Sequence, residues 1–527
     1  MEDAWENFLE AIAGLLSIAL TNKETEKVIA GFNNFQQRLQ RLSSHNLQRL
    51  HLEITQDTKR VNKCKHEGKT CTQNVTRGFL KTWVIGYVVK YMIGVLPALL
   101  TGKALKNPGI FKKSGGRDTV GFAFFLSSFL SAYKAVLCTM RYYRPDHEGD
   151  RLNAFVAGSV AGLTLLLDKN KSRRTALTLY LFTRSIQFGS SYTMKKWAEH
   201  RDAKRAANRQ ALMDNAEFTG QKQTLVTKNG WDDILAKVLT ASAATILMSL
   251  TASVNLYSCV IEPDAMPRSY WNFIMQHSGL PQKFGPMFPP LIETFQSQYK
   301  ILKELPGGME NVGIPAGMSS KDFVAQNISP NIATLFPSGL HHDFQLCALL
   351  HPLTPCKGHA LDVLTGEFAR AAKMYGTLNF IVTLVFQHKK LATNPKGVAY
   401  RYFKSTLRSC LFLTMYVLGA FSTPCVTRRV FKSEVLFTYL FNGIISGLAV
   451  LIEAPGRQME LALYCLPRAL ETAWNLLLKR GLVRNVPYGD IALFSASMGV
   501  MMTLYQNDPS VINKHYLTVL TRVFGRN

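Results

Sequence analysis

The sequence predicts an all-α, polytopic helical membrane protein made of two copies of one helical module. Three observations carry that prediction: apolar stretches recur along the chain, residues repeat at a constant offset, and the charge is strongly positive. Of 527 residues, 47% are hydrophobic and 18% charged. The charged share lies below the roughly 25% of an average soluble protein.

The apolar stretches are Phe79 to Leu100, Val120 to Met140, Phe155 to Leu167, Ile234 to Tyr257, Leu364 to Phe386, Thr406 to Phe421, Val435 to Ile452 and Ile491 to Tyr505. Several approach the ~20 residues that a helix needs to cross a bilayer, and others fall short. One such run also fits the buried helix of a soluble fold; their repetition favours lipid.

Lys and Arg number 61 against 35 Asp and Glu, a formal net charge of +26. The cations sit at the ends of apolar segments (Lys103, Lys106, Lys112, Lys113; Lys169, Lys171, Arg173, Arg174; Lys389, Lys390), where they meet phospholipid phosphates. Anionic lipid head groups are therefore the expected partners, and no nucleic-acid motif is present. Nine cysteines in so long a chain do not make a disulfide scaffold, which places the protein in a reducing or neutral compartment. Cys138, Cys259, Cys410 and Cys465 lie in or beside apolar segments, as small buried thiols do. Glu2, Asp3, Glu6 and Glu10 argue against a secretory signal or a mitochondrial presequence over Met1 to Leu20.

A repeat organises the chain. His66 and Cys71 recur as His351 and Cys356, each at an offset of 285 residues. Gly158-Ser-Val-Ala-Gly162 recurs as Gly443-Ile-Ile-Ser-Gly447 at the same offset, as do the acids Asp168 and Glu453. Tyr180 and Arg184 match Tyr464 and Arg468 at 284. Each module reads as a Cys/His segment, a long apolar helix, a basic loop, a second apolar helix, a short helix with Gly-x-x-x-Gly, a more polar helix and a fifth segment. Residues 1–60 read as an N-terminal polar, helical region, 61–280 as the first module and 346–527 as the second. Residues 198–230 read as a basic insertion in water. The many Pro and Gly of residues 281–345, among them Pro281, Pro286, Pro289, Pro290 and Pro330, read as an irregular connector. An even number of spans sets both modules the same way up and an odd number inverts the second; the residues allow both.

The motifs carry packing more than chemistry. Lipid supplies no hydrophobic drive between helices, so Gly158 and Gly162, like Gly443 and Gly447, suit close backbone approach. Arg184 and Arg468 each follow a tyrosine by one turn, Tyr180 or Tyr464, on the same helix face. An arginine there either snorkels to the interface or gates a substrate, and snorkelling is the default. Cys64, His66 and Cys71, and Cys347, His351, Cys356 and His359, offer the thiolate and imidazole groups that zinc prefers, in spacings that match no standard pattern. They read as a metal site or, by default, as a structural cap of buried thiols. Nucleophile elbows, phosphate loops and dinucleotide turns are missing, so no catalytic residue and no cofactor is expected. His341-His342-Asp343 resembles an acyltransferase motif but lacks a second element.

From about Cys64 to Gly279 the chain resembles the transmembrane protein 135 family, itself similar to the Tim17/Tim22/Tim23 and peroxisomal membrane protein 24 group. The residues that carry the resemblance are His66-x4-Cys71, Ser131-Ala-Tyr133-Lys134 before Cys138, Ala157 to Gly162, Lys171-Ser-Arg-Arg174 and Arg268-Ser-Tyr270-Trp271. Cys347 to Tyr505 resembles it again, with Arg457 alone in place of the Lys-Ser-Arg-Arg string. The resemblance implies two Tim17-like modules in a peroxisomal or mitochondrial membrane, with a non-enzymatic role in lipid homeostasis, organelle dynamics or the transport of a lipid or metabolite. Association with its own kind or with other organelle membrane proteins is a further expectation. The alternatives are a subunit for protein translocation or insertion and an integral-membrane enzyme acting on lipid.

Overall fold

The computed structural model describes residues 70–100, 107, 109–144, 150–219, 231–305, 313–432 and 438–525. Every regular element among them is helical. Cys64 and His66, and the N-terminal region 1–60, lie outside the described residues. The chain divides into two compact units. The described part of the smaller is Phe380–Tyr400, and all that follows concerns the larger, Cys64–Asn379 with Arg401–Asn527.

The first module begins with α1 (Cys71–Leu100). Its start is a capping box: Thr70 Oγ1 accepts from the Gln73 amide, and Gln73 Oε1 accepts from the Thr70 amide, both at 3.2 Å. Then follow α2 (Gly109–Ser114), α3 (Arg117–Tyr143) and the short glycine helix α4 (Arg151–Gly162), which tightens into a 3-10 turn over Leu163–Leu167. Asn170 caps α5 (Lys171–Thr219) by accepting from the Arg173 amide, and this helix carries on through residues 198–219 of the basic insertion. The fifth segment is α6 (Trp231–Ile261).

The second module repeats the order. Its long helix α11 (Cys356–Thr393) starts at the cysteine that matches Cys71, followed by α12 (Pro395–Phe431), the glycine helix α13 (Thr438–Gly447) and a 3-10 turn over Leu448–Ile452. The polar helix is α14 (Pro455–Lys479), the fifth segment α15 (Gly489–Asn507), and α16 (Lys514–Phe524) closes the described chain. Both glycine helices thus end in a five-residue 3-10 turn and a buried acid, Asp168 or Glu453.

Between the modules the expectation of an irregular connector is corrected. The chain forms α7 (Arg268–Ser278), α8 (Phe288–Glu304), α9 (Ser320–Asn327) and α10 (Gln345–Leu350), with short turns at Leu280–Phe284 and Pro330–Ala333. Its prolines mislead because Pro281, Pro289 and Pro330 occupy first turns, where the missing N–H costs nothing. Leu291, Phe295, Tyr299, Val324, Ile332 and Leu346 are buried, so this segment is part of the core and not a tether.

Two apolar cores result, and the fifth helices belong to the opposite module's core. Met248 and Leu256 of α6 cluster with Val417 and Phe421 of α12, Tyr439 of α13 and the connector. Phe494, Met498, Met501 and Met502 of α15 cluster with Phe129 and Tyr133 of α3 and with Ala157 and Ala161 of α4. The helices α6 and α15 are exchanged between the two halves of the chain.

Candidate functional site

The exchange takes place at the glycines. A Cβ on Gly158 would meet the Met498 carbonyl oxygen at 2.5 Å and Gly499 Cα at 3.0 Å; one on Gly162 would meet Ser495 Cα at 2.5 Å. In the other half, a Cβ on Gly443 would collide with the Ser253 backbone and one on Gly447 with Ser249. Gly162 therefore faces Ser495 and Gly158 faces Gly499, so the two helices cross antiparallel, each with small residues four apart. Gly447 and Gly443 repeat the pattern against Ser249 and Ser253. Serine hydroxyls seal the crossings: Ser495 Oγ donates to the Ser159 carbonyl, Ser249 Oγ to that of Ile444 at 3.1 Å, and Ser253 Oγ to that of Leu440 at 2.8 Å. All four predicted glycines sit at such crossings.

The repeated Tyr/Arg pairs do not share one environment. Arg184 is buried at 5% exposure, donates to Glu460 Oε2 of α14 at 2.8 Å, and lies over the rings of Tyr180 and of Tyr516 in α16. It is an internal clasp between α5, α14 and α16, which corrects the snorkelling default. Arg468 instead pairs with Glu471 on its own helix, and Tyr464 is 77% exposed. The polar helix α14 turns a different face inward from that of α5, and one-turn spacing cannot reveal which.

The second module's Cys/His residues converge. Cys347 comes from α10, His351 from the residue after it, Cys356 from the first position of α11, and a fourth ligand-type group, Cys425, from the far end of α12. Their Sγ and Nε2 or Nδ1 atoms all lie within 4.8 Å of one another. Cys347, His351 and Cys425 are buried and Cys356 is partly so. Cys425 was missed in the sequence, because 69 residues separate it from Cys356 and nothing local marks it. His359 is not a member; its ring stacks on that of His351 at 4.6 Å between centroids. Of the first module's counterparts, Cys71 is exposed at the start of α1.

Electrostatics favour an ionised cluster. Hydrogen bonding from Cys356 and the buried guanidinium of Arg428 hold the Cys347 thiol well below its usual range. Burial alone would depress the His351 imidazole, yet the Cys347 and Cys356 sulfurs beside it raise it to about 9. Beside the cluster, a cleft of about 920 Å³, counted to where it meets solvent, is lined by Lys283, His351, His359, Asp362 and Arg370. His341 and His342 are held by the Met318 carbonyl and the Ser320 hydroxyl, and Asp343 faces Arg429 at 3.6 Å, so this trio is fixed as part of the connector. Asn74 is buried and accepts from Lys134 Nζ at 2.9 Å, which leaves no room for a glycan.

No family model matches this chain, and no solved structure matches it.

Proposed function

We propose that this protein is a non-enzymatic integral protein of a peroxisomal or mitochondrial membrane, built from two interlocked Tim17-like modules that hold a path or platform for a lipid or small metabolite. One observation carries the membrane part. The helices that cross through glycine on one side expose continuous apolar stripes on the other: Leu80, Ile85, Val89 and Ile93 on α1, Phe403, Leu407, Leu411 and Met415 on α12, and Phe441, Ile445, Leu448 and Leu451 along α13 and its 3-10 turn. Spacings of three to five residues keep each stripe on one helix face. Contiguous apolar surface of this extent marks a lipid or partner interface. Among the described residues three helical segments, Gly109–Tyr143, Thr240–Ile261 and Pro395–Phe431, are long and apolar enough to cross a membrane.

The duplication reading is supported by the matched elements: two glycine helices, two five-residue 3-10 turns and two antiparallel small-residue crossings related by the same offset. The role in lipid handling and the organelle rest on the resemblance to the transmembrane protein 135 family. Fractionation with alkaline carbonate extraction and organelle markers tests the reading. The protein is expected in the carbonate-resistant pellet with peroxisomal or mitochondrial markers; release into the carbonate supernatant would overturn it.

A further inference from the structure

We infer that Cys347, His351, Cys356 and Cys425 form a structural zinc site that pins the connector to the second module. A tetrahedral zinc ion holds thiolate sulfur at about 2.3 Å and imidazole nitrogen at about 2.0–2.1 Å, which separates ligand atoms by roughly 3.5–3.8 Å. The four donor atoms here all lie within 4.8 Å, and Cys425 Sγ stands 3.3 Å from His351 Nε2, so a small inward or outward adjustment completes the shell. Three soft thiolates and one imidazole are the donor set of closed zinc sites, and four protein ligands leave no position for a substrate.

Two features outside the four ligands point the same way. His351 donates from Nδ1 to the Thr354 carbonyl at 2.8 Å, which fixes the tautomer and leaves the Nε2 lone pair facing the sulfurs. Arg428, a fully buried arginine, places Nη1 3.3 Å from Cys347 Sγ while Nη2 donates to the Tyr439 hydroxyl at 2.9 Å. A divalent ion with three thiolates and a neutral imidazole carries one net negative charge, which the guanidinium cancels. A buried cation beside neutral thiols would lack that compensation. The cleft on the His351 side supplies an entry path for the ion.

The ligands come from α10, the turn after it, the first residue of α11 and the last turns of α12. Metal binding therefore fastens segments 347–356 and 425, which no continuous helix connects. The inference does not depend on the membrane reading, since the site is formed whether detergent or water surrounds the outer surface.

The test is elemental analysis of untagged full-length protein purified in detergent without added metal, with cobalt(II) exchange as a second readout. The expected result is about one zinc per chain, and after exchange the visible absorption of tetrahedral cobalt with thiolate charge-transfer bands. Cys425→Ser should lower the zinc content at least several-fold, whereas Cys410→Ser, a buried thiol outside the cluster, should leave it unchanged. If Cys425→Ser fails to fold, the cobalt spectrum of the wild-type protein decides. Wild-type protein with less than about a tenth of an equivalent of zinc and no thiolate-to-cobalt band after exchange would overturn the assignment.

Discussion

The Ser495 hydroxyl donates to the Ser159 carbonyl across the crossing of α15 and α4. Its counterpart is the Ser249 hydroxyl on the Ile444 carbonyl, and Ile444 lies 285 residues after Ser159, the offset of the sequence repeat. Each half of the chain lends its fifth helix to the other by the same contact. A hydroxyl bonded to a helix carbonyl adds an interhelical tie of about 0.6–2 kcal/mol where lipid offers no competing partner.

The exchange can be trapped covalently. In a background without the other reactive thiols, Ser159→Cys with Ser495→Cys should form an intramolecular disulfide under mild oxidation, seen as a mobility change on non-reducing gels. A pair that stays reduced while the protein remains folded would show that α15 does not lie on α4.

Glycines at the crossings and glycines in open space should behave oppositely. Gly162→Leu and Gly447→Leu place side chains where backbone atoms of the facing helix stand. Each should destabilise by at least the ~1–3 kcal/mol of an overpacked core, read as a lower melting temperature or loss of the monodisperse peak in detergent. Gly121 and Gly189, inside α3 and α5, have nothing within 4 Å of a built Cβ. Alanine at either should raise stability by up to about 1 kcal/mol through helix propensity.

The two matched arginines should also part company. Arg184→Ala removes the partner of Glu460 and a cation lying over two tyrosine rings, and should cost about 2 kcal/mol or more. Arg468→Ala breaks only a half-exposed pair within one helix and should change stability by less than about 0.5 kcal/mol. Thermal unfolding of the two variants side by side is the measurement; equal losses would contradict the clasp.

Arg428 should tune the metal without ligating it. Arg428→Met keeps the bulk and removes the charge, and zinc affinity by competition with a chelator should fall about 10–100-fold. Arg428→Lys should retain more of it. Unchanged affinity in the methionine variant would mean that the guanidinium does not stabilise the thiolates.

Much of the architecture was legible beforehand because it rests on local or periodic signals. Apolar runs and helix caps declare α1, α3, α4, α6, α12 and α13, and Gly158, Gly162, Gly443 and Gly447 declare close helix approach, since a missing side chain has that consequence wherever the helix sits. The Cys347, His351 and Cys356 cluster was visible as chemistry but not as geometry. The connector was misread because proline in a first turn and proline in a loop look alike along the chain.

The sequence by itself determined the helices, the duplication offset and the small-residue faces, all set by neighbours within a few turns or by matching positions. Only the tertiary structure decided that α6 and α15 change places, that Arg184 is clasped while Arg468 is not, and that Cys425 completes a four-ligand cluster begun 78 residues earlier at Cys347. Those facts depend on which faces of distant helices meet. That choice is made by packing over the whole molecule, and spacing along the chain carries no record of it.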